Sequence, residues 1–319
     1  MNSKLRILSL IVLLAAGSSA NARTAEGPAD PTGQEIVYIE GVRFVDALLE
    51  KWISEYSKAH PNALVSVAGK EIKEVPIRIV SSGRPNDEAV QTQTGGISFG
   101  KYAILPIAGK ENTLPDELKK KKLNEKRLKE LFFEKDYLSG DGEADKKEKY
   151  NATVYSGNRS YSVSHTFAGH FGYEASSLKG KKIAGDDIYL NNAVEKDAQG
   201  VSFNHLNYIF NIESRRLNDG IALLPLDIKK EYAEVLDLQN LDETITLLEE
   251  KDISLIPVEE LTFTLPEKVS PATFRFLEWA LSEGQNYLHT YGFLRLDTKT
   301  LAQQQKQISV LETKLLANK

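Results

Sequence analysis

The densest run of chemistry-bearing side chains in this sequence is SGNRSYSVSHTFAGHFG, from Ser156 to Gly172. Gly157, Arg159, Ser160, Ser162 and Ser164 fall between an apolar strand closing at Thr153 to Tyr155 and the first turn of a helix. That helix carries Val163, Phe167 and Phe171 at spacing four and stops at Gly172. Hydroxyls at a helix start can cap their own helix. Three serines with an arginine exceed what one cap uses, and such a set suits an oxyanion: a guanidinium gives two parallel charged donors and the serines give neutral ones. A second loop of this kind, Ser81-Ser82-Gly83-Arg84-Pro85, follows the alternating run VPIRIV and reads equally as a turn or as a ligand contact. A third, Gly41-Val42-Arg43, joins the β-branched run Ile36 to Ile39 to a helix whose Val45, Leu48, Leu49, Trp52, Ile53 and Tyr56 form one apolar stripe. Pro61 ends that helix. Strand, glycine loop and helix in that order aim unpaired backbone N–H groups and the positive end of a helix dipole at one point, although most such units are scaffold.

Other chemistries find little support. His165 and His170 stand five apart and off a common helical face, His205 is remote, and no HExxH, GxSxG or P-loop pattern occurs. We therefore expect no enzyme, no catalytic residue, no metal and no cofactor. Asp186 and Asp187 read as caps of the helix that follows them. The four lysines Lys119 to Lys122 read as a solvated face.

The elements that must position these loops come from patterning and composition. The 319 residues are 41% hydrophobic and 27% charged, an ordinary globular balance and enough chain for two domains of roughly 150 residues each. Lys4 and Arg6, the apolar run Ile7 to Ala16 and the small-residue site Ala20-Asn21-Ala22 form a secretory signal too short to span a membrane. We expect cleavage after Ala22, a mature start at Arg23, a flexible lead-in over 23–34 and a periplasmic location. No later segment approaches ~18 apolar residues, so the mature protein is not expected to be embedded in a membrane. The chain has no cysteine, which leaves no lipid anchor and no disulfide, so the core alone must hold the fold. Losing Lys4 and Arg6 takes the formal charge from −5 to −7, and an acidic chain without a basic stripe excludes nucleic acid as a partner. A bound anion must then be held by local dipoles against the overall charge. Strand patterns at Ala63 to Val67, Val75 to Val80, Ile97 to Ile107, Lys182 to Ala184, Val201 to Phe203, Ile221 to Leu224 and Ile253 to Val258 alternate with helices. Those helices include Leu114 to Leu131, one capped by Asp242, one opened by Ser270-Pro271, one over Gln285 to Tyr291 and a polar tail from Thr298 to Lys319, expected to pack on its own body. The class is α/β with mainly parallel sheets, and glycine-bearing loops of two such domains would meet in the crevice between them.

These residues in this order resemble a known family. They are Gly41-Val42-Arg43 opening a helix with Glu50-Lys51-Trp52, then the serine-rich loop before His165-Thr166-Phe167 and Phe171-Gly172. GKKIAGDD (180–187), GVSFN (200–204), GIALLPLD (220–227), IPV (256–258) and FLEWALSEGQNYLHTYGFLRL (276–296) follow. The set is similar to the phosphate-binding periplasmic proteins of ABC importers, in the form common among Bacteroidetes-like bacteria, over roughly residues 35 to 300. The resemblance implies a two-domain type II periplasmic binding protein fold of mixed, mostly parallel sheets with a hinge of two crossing strands, near Gly100 to Pro106 and Ser254 to Glu260. It implies domain 1 over 35–102 plus 258–319, with the helical tail, and domain 2 over 103–257. It implies capture of phosphate or a similar small anion between the domains by a monomer that serves an ABC transporter permease. The ligand-binding residues would be Gly41, Val42 and Arg43 with Phe44 beside them, then Ser81, Ser82 and Arg84, then Arg159, Ser160, Ser162 and Ser164. Val42 and Phe44 replace the hydroxyl residues usual in the family's first loop, and Ser160-Tyr161-Ser162-Val163-Ser164 echoes its Ser-Gly-Ser-Gly-Thr pattern loosely. The alternative is a binding-fold protein that has lost its ligand and acts as an envelope interaction or scaffold protein.

Overall fold

The structure is a computed structural model that describes residues 36–69, 71–72, 75, 77–81, 96–134, 150–159, 162–266 and 269–317. The signal segment, the lead-in, Ser82, Arg84 and Ser160 lie outside the described residues. Strand β1 (Ile36–Glu40) leads through one 3-10 turn at Arg43–Val45 into α1 (Asp46–Ala59), followed by β2 (Leu64–Val67), β3 (Ile77–Ser81) and β4 (Ile97–Gly109). Helices α2 (Leu114–Leu118) and α3 (Glu125–Phe132) precede β5 (Thr153–Gly157), α4 (Val163–His170), β6 (Lys181–Ile183) and α5 (Ile188–Glu195). The chain continues through β7 (Gly200–His205), α6 (Leu206–Ile209), β8 (Ile221–Leu223), α7 (Lys230–Asp237) and α8 (Leu241–Glu250). It closes with β9 (Val258–Thr264), α9 (Pro271–Ala280) and α10 (Thr298–Ala317).

β4 organises the architecture. Its 13 residues are buried except for a half-buried Lys101, and at ~3.3 Å per residue it is long enough to serve two groups of strands in turn. Its first half, Ile97 to Ala103, pairs antiparallel with β9, in a sheet ordered β2-β1-β3-β9-β4. Its second half, Ile104 to Ala108, pairs antiparallel with β7, which lies beside β5 and β6, and Ile107 to Gly109 also pairs with β8. Among the described residues four strand pairings are parallel and four antiparallel. Parallel pairing survives only in the βα units around β1 and β5, because β4 and β9 run against their neighbours. Each half has its own aromatic core. Trp52, fully buried, donates Nε1–H to Gly284 O at 2.8 Å and packs against Phe99, Phe263 and Trp279. In the second half Phe167 stacks on Phe203 at 3.8 Å, with Phe132 edge-on to both.

Local expectations shift where side chains found other partners. The helix expected over Leu114 to Leu131 is two helices, because Asn124 accepts the Arg127 N–H at 3.0 Å and starts α3 afresh after the lysine run. Asn240, not Asp242, caps α8 by accepting the N–H groups of Asp242 and Glu243 at 2.9 and 3.2 Å, and Asp242 pairs with Arg215 instead. Ile253 to Pro257 turns outside any strand, and the sheet resumes only at Val258. Pro257 has no N–H for a ladder, and its carbonyl accepts from Ile104 N at 3.0 Å. The segment expected as one helix at Gln285 to Tyr291 is two 3-10 turns that end on Gly292, at φ +79°. The tail helix α10 packs on its own body through the buried Ile308 and through Gln304, whose Oε1 accepts the Ser98 N–H at 2.9 Å.

Candidate functional site

The turn that starts α1 meets the β6–α5 loop and the β7–α6 junction, and the same β6–α5 loop holds the start of α4. Phe44 lies flat on the His205 ring, 4.0 Å between centroids and 10° between planes, with Tyr102 at 5.0 Å on the same phenyl ring. Its carbonyl accepts from Asn207 Nδ2 at 2.6 Å. Beside it Arg43 is two-thirds exposed and reaches Asp186 Oδ2 at 3.6 Å. These contacts join the β1–α1 unit of the first sheet to loops of the second.

The start of α4 is built by three segments at once. Ser162 caps the helix, its Oγ 3.2 Å from the Ser164 N–H, and Ser164 Oγ accepts the Gly157 N–H at 2.8 Å. Ser162 Oγ–H donates to Asp187 Oδ1 and Val163 N–H donates to Asp187 Oδ2, both at 2.7 Å. A carboxylate of the chain itself thus sits where unpaired amides and the helix dipole favour negative charge. Asn204 Nδ2 donates to the Asp187 carbonyl at 2.7 Å and to Asn191 Oδ1 at 2.9 Å, which fixes the loop. Gly157 is required at this junction, since a Cβ there would stand 1.9 Å from Ser162 Oγ.

The electrostatics of this junction are mixed, with an acidic excess. His205 is buried, and neither ring nitrogen has a hydrogen-bond partner among the described residues. Burial pulls its pKa down to about 3, so the ring is neutral, although Asp187 Oδ2 lies 4.0 Å from Nε2 and favours the charged form. Burial raises the Asp46 carboxyl, Arg43 opposes that, and the neighbouring Asp186 and Glu50 reinforce it. Burial and the carboxylates Asp186, Asp187 and Asp46 push the Tyr208 phenol far up, so it stays protonated. Asp46, Asp186 and Glu50 crowd one another here, and Arg43 offsets them in part.

Of the residues singled out by sequence, Gly41, Val42 and Arg43 lie on one side of this junction and Ser162 and Ser164 on the other. Ser162 and Ser164 touch each other, and Arg43 reaches Asp186 rather than a serine. Arg159 is exposed, and its carbonyl accepts the Ser162 N–H at 3.0 Å. Ser81 is buried at the end of β3, in register with Leu261. Sequence reasoning missed Asp187, His205, Asn204 and Tyr208 at the site, and took Phe44 only as a lost hydroxyl. Asp186 does cap α5, accepting the Ile188 N–H at 3.1 Å, but Asp187 does not. An Asp-Asp pair before a helix carries no local sign that one member reaches back 25 residues to Ser162.

No protein-family model matches the chain, and no curated protein matches it by sequence. Solved structures do. An ABC-type phosphate transport receptor from Vibrio cholerae aligns with TM-score 0.56 at 13% identity, over 82% of this chain and 100% of that one. A protein from Clostridium perfringens, assigned as a phosphate ABC transporter substrate-binding protein and solved with bound phosphate, aligns with TM-score 0.53 at 14% identity, again over 82% and 100%. The fold is that of a type II periplasmic binding protein. In this binding-protein fold β4 is the strand shared by both sheets. Among the described residues no helix is long and apolar enough to cross a membrane. A surface cavity of about 340 Å³ lies away from this junction, at the edge of β5 and β6, lined by Glu130, Thr153, Lys179 and Lys181.

Proposed function

We propose that this is an extracytoplasmic solute-binding protein that captures a small oxyanion of the phosphate class between two domains and presents it to an ABC importer. The domains divide as 35–102 with 258–319, and 103–257. One observation supports the reading: Arg43, in the turn before α1, reaches Asp186, and the adjacent Asp187 holds the Ser162 hydroxyl and the Val163 amide at the start of α4. Contacts from both domains to one solute stabilise the closed form over the open one, and a permease can read that difference. The phosphate named for the two solved relatives supports the choice of solute class. The reading assigns no catalytic step, cofactor or metal to the protein. Titration calorimetry with phosphate, sulfate, molybdate and a phosphonate tests it: saturable heat with one of them is expected. Arg159→Ala should weaken that binding at least tenfold, because a charged hydrogen bond contributes ~1.5–3 kcal/mol. Unchanged affinity removes Arg159 from the site, and silence across the panel removes the solute class.

A second reading is favoured by the Asp187 carboxylate on α4 and the Phe44–His205 stack, which fill the junction with the protein's own groups. In that reading the protein keeps the fold, has given up the solute, and works by contact with other envelope proteins.

A further inference from the structure

Resting on the solute-binding reading, we infer that Asp187 decides which solutes the cleft accepts: its carboxylate is a built-in occupant of the α4 anion seat, and a phosphate-class anion enters only by displacing it. Asp187 and Ser162 are both buried, and the two carboxylate oxygens take the two donors that a tetrahedral oxyanion would need there, the Ser162 hydroxyl and the Val163 amide. The second observation is independent of the helix start. His205, buried on the flank of the same carboxylate, turns an unpartnered Nε2 to within 4.0 Å of Oδ2. A neutral imidazole can carry its proton on that nitrogen, so hydroxyl, amide and imidazole together form a donor set around the position Asp187 fills. Gly157 leaves the room, since its missing Cβ would press on Ser162 Oγ and approach Asp187 Oδ1. A free anion beside Asp187 would meet like charge in a buried setting, with Asp186 and Asp46 adding to it. An incoming anion must therefore take the carboxylate's place rather than join it, and a neutral solute escapes that repulsion.

The test uses the full chain as wild type, Asp187→Asn and Asp187→Ala, with inorganic phosphate and sulfate as probes in calorimetry and thermal-shift titrations. Asparagine removes the charge and keeps an oxygen for Val163, and alanine also empties the seat. Asp187→Asn should bind phosphate at least tenfold tighter than wild type and Asp187→Ala tighter still. Adding Ser162→Ala to Asp187→Asn should abolish the gain. If alanine prevents folding, judged by circular dichroism, the asparagine pair carries the comparison. Wild type and variants of equal affinity overturn the plug and leave the solute-binding reading standing. Folded variants that bind no anion at all overturn both. Variants that bind where wild type does not uphold the plug and assign the wild-type protein to the second reading.

Discussion

His205 shows how a single side chain can link the junction to pH. In the folded protein its pKa is held at about 3 against an ordinary 6.5. Between those values the unfolded chain binds the proton and the folded chain does not. Stability is therefore complete above about pH 6.5 and declines as pH falls toward 3, by ~1.4 kcal/mol per pH unit from this ring. His205→Phe keeps an aromatic partner for Phe44 and should flatten the slope of unfolding free energy between pH 6.5 and 5 measured by urea denaturation. An identical slope in the variant would assign the pH dependence to other groups. Gly157 is the other residue where one atom decides. Gly157→Ala drives a Cβ to 1.9 Å from Ser162 Oγ and 2.9 Å from Asp187 Oδ1, so it should dislodge the α4 cap and lower the melting temperature by several degrees. A melting temperature equal to wild type would mean that β5 and α4 slip apart freely. The glycine and the serines were legible as a loop of interest. Their pairing with Asp187 was not, because the partner lies on another element.

At the scale of elements, capping chemistry was read well where the cap is adjacent to an unmistakable helix signal. Ser270 before Pro271 caps α9 as its sequence implies, accepting the Thr273 N–H at 3.2 Å. Near α8 two residues competed, Asn240 and Asp242, and the choice fell to Asn240 because Arg215 claims Asp242 at 2.6 Å. Asn240→Ala should therefore cost about 1–2 kcal/mol in denaturant unfolding, since it leaves two amides uncapped. Asp242→Ala loses no capping bond and should act through Arg215 alone; equal costs for the two would contradict the assignment. The division between α2 and α3 was likewise hidden, since the lysine run reads as helical until Asn124 is seen accepting a backbone N–H.

Across the whole molecule the two halves are fastened by a few groups of unlike chemistry. Phe44 stacks on His205, Asn207 holds the Phe44 carbonyl, and Arg215 donates to His289 O at 2.8 Å and Thr290 O at 2.9 Å. Arg215 adopts φ +61°, a left-handed conformation uncommon for a residue with a side chain, and from it the guanidinium reaches those carbonyls and Asp242. Phe44→Ala removes the stack on His205 and should loosen the contact between the two halves, seen as a larger radius of gyration in small-angle scattering. No change in radius would mean that the remaining bridges, among them Asn207, Arg215 and the Glu249–His289 pair, hold the arrangement.

Alternation of apolar runs, the α1 stripe and the glycine loops sufficed to establish an α/β chain with strand–loop–helix units, because these signals act between residues a few positions apart; the two crossing strands came only with the family resemblance. The long apolar β4 was readable for the same reason: burial on both faces leaves a continuous hydrophobic run. What occupies the start of α4 was decided only when the chain folded. Asp187 to Ser162 spans 25 residues, Asn207 to Phe44 spans 163, and the same side chains would cap helices or face water under a different packing. Local sequence sets which groups are available, and tertiary packing sets which of them meet, since a buried donor takes whichever acceptor the fold brings within reach.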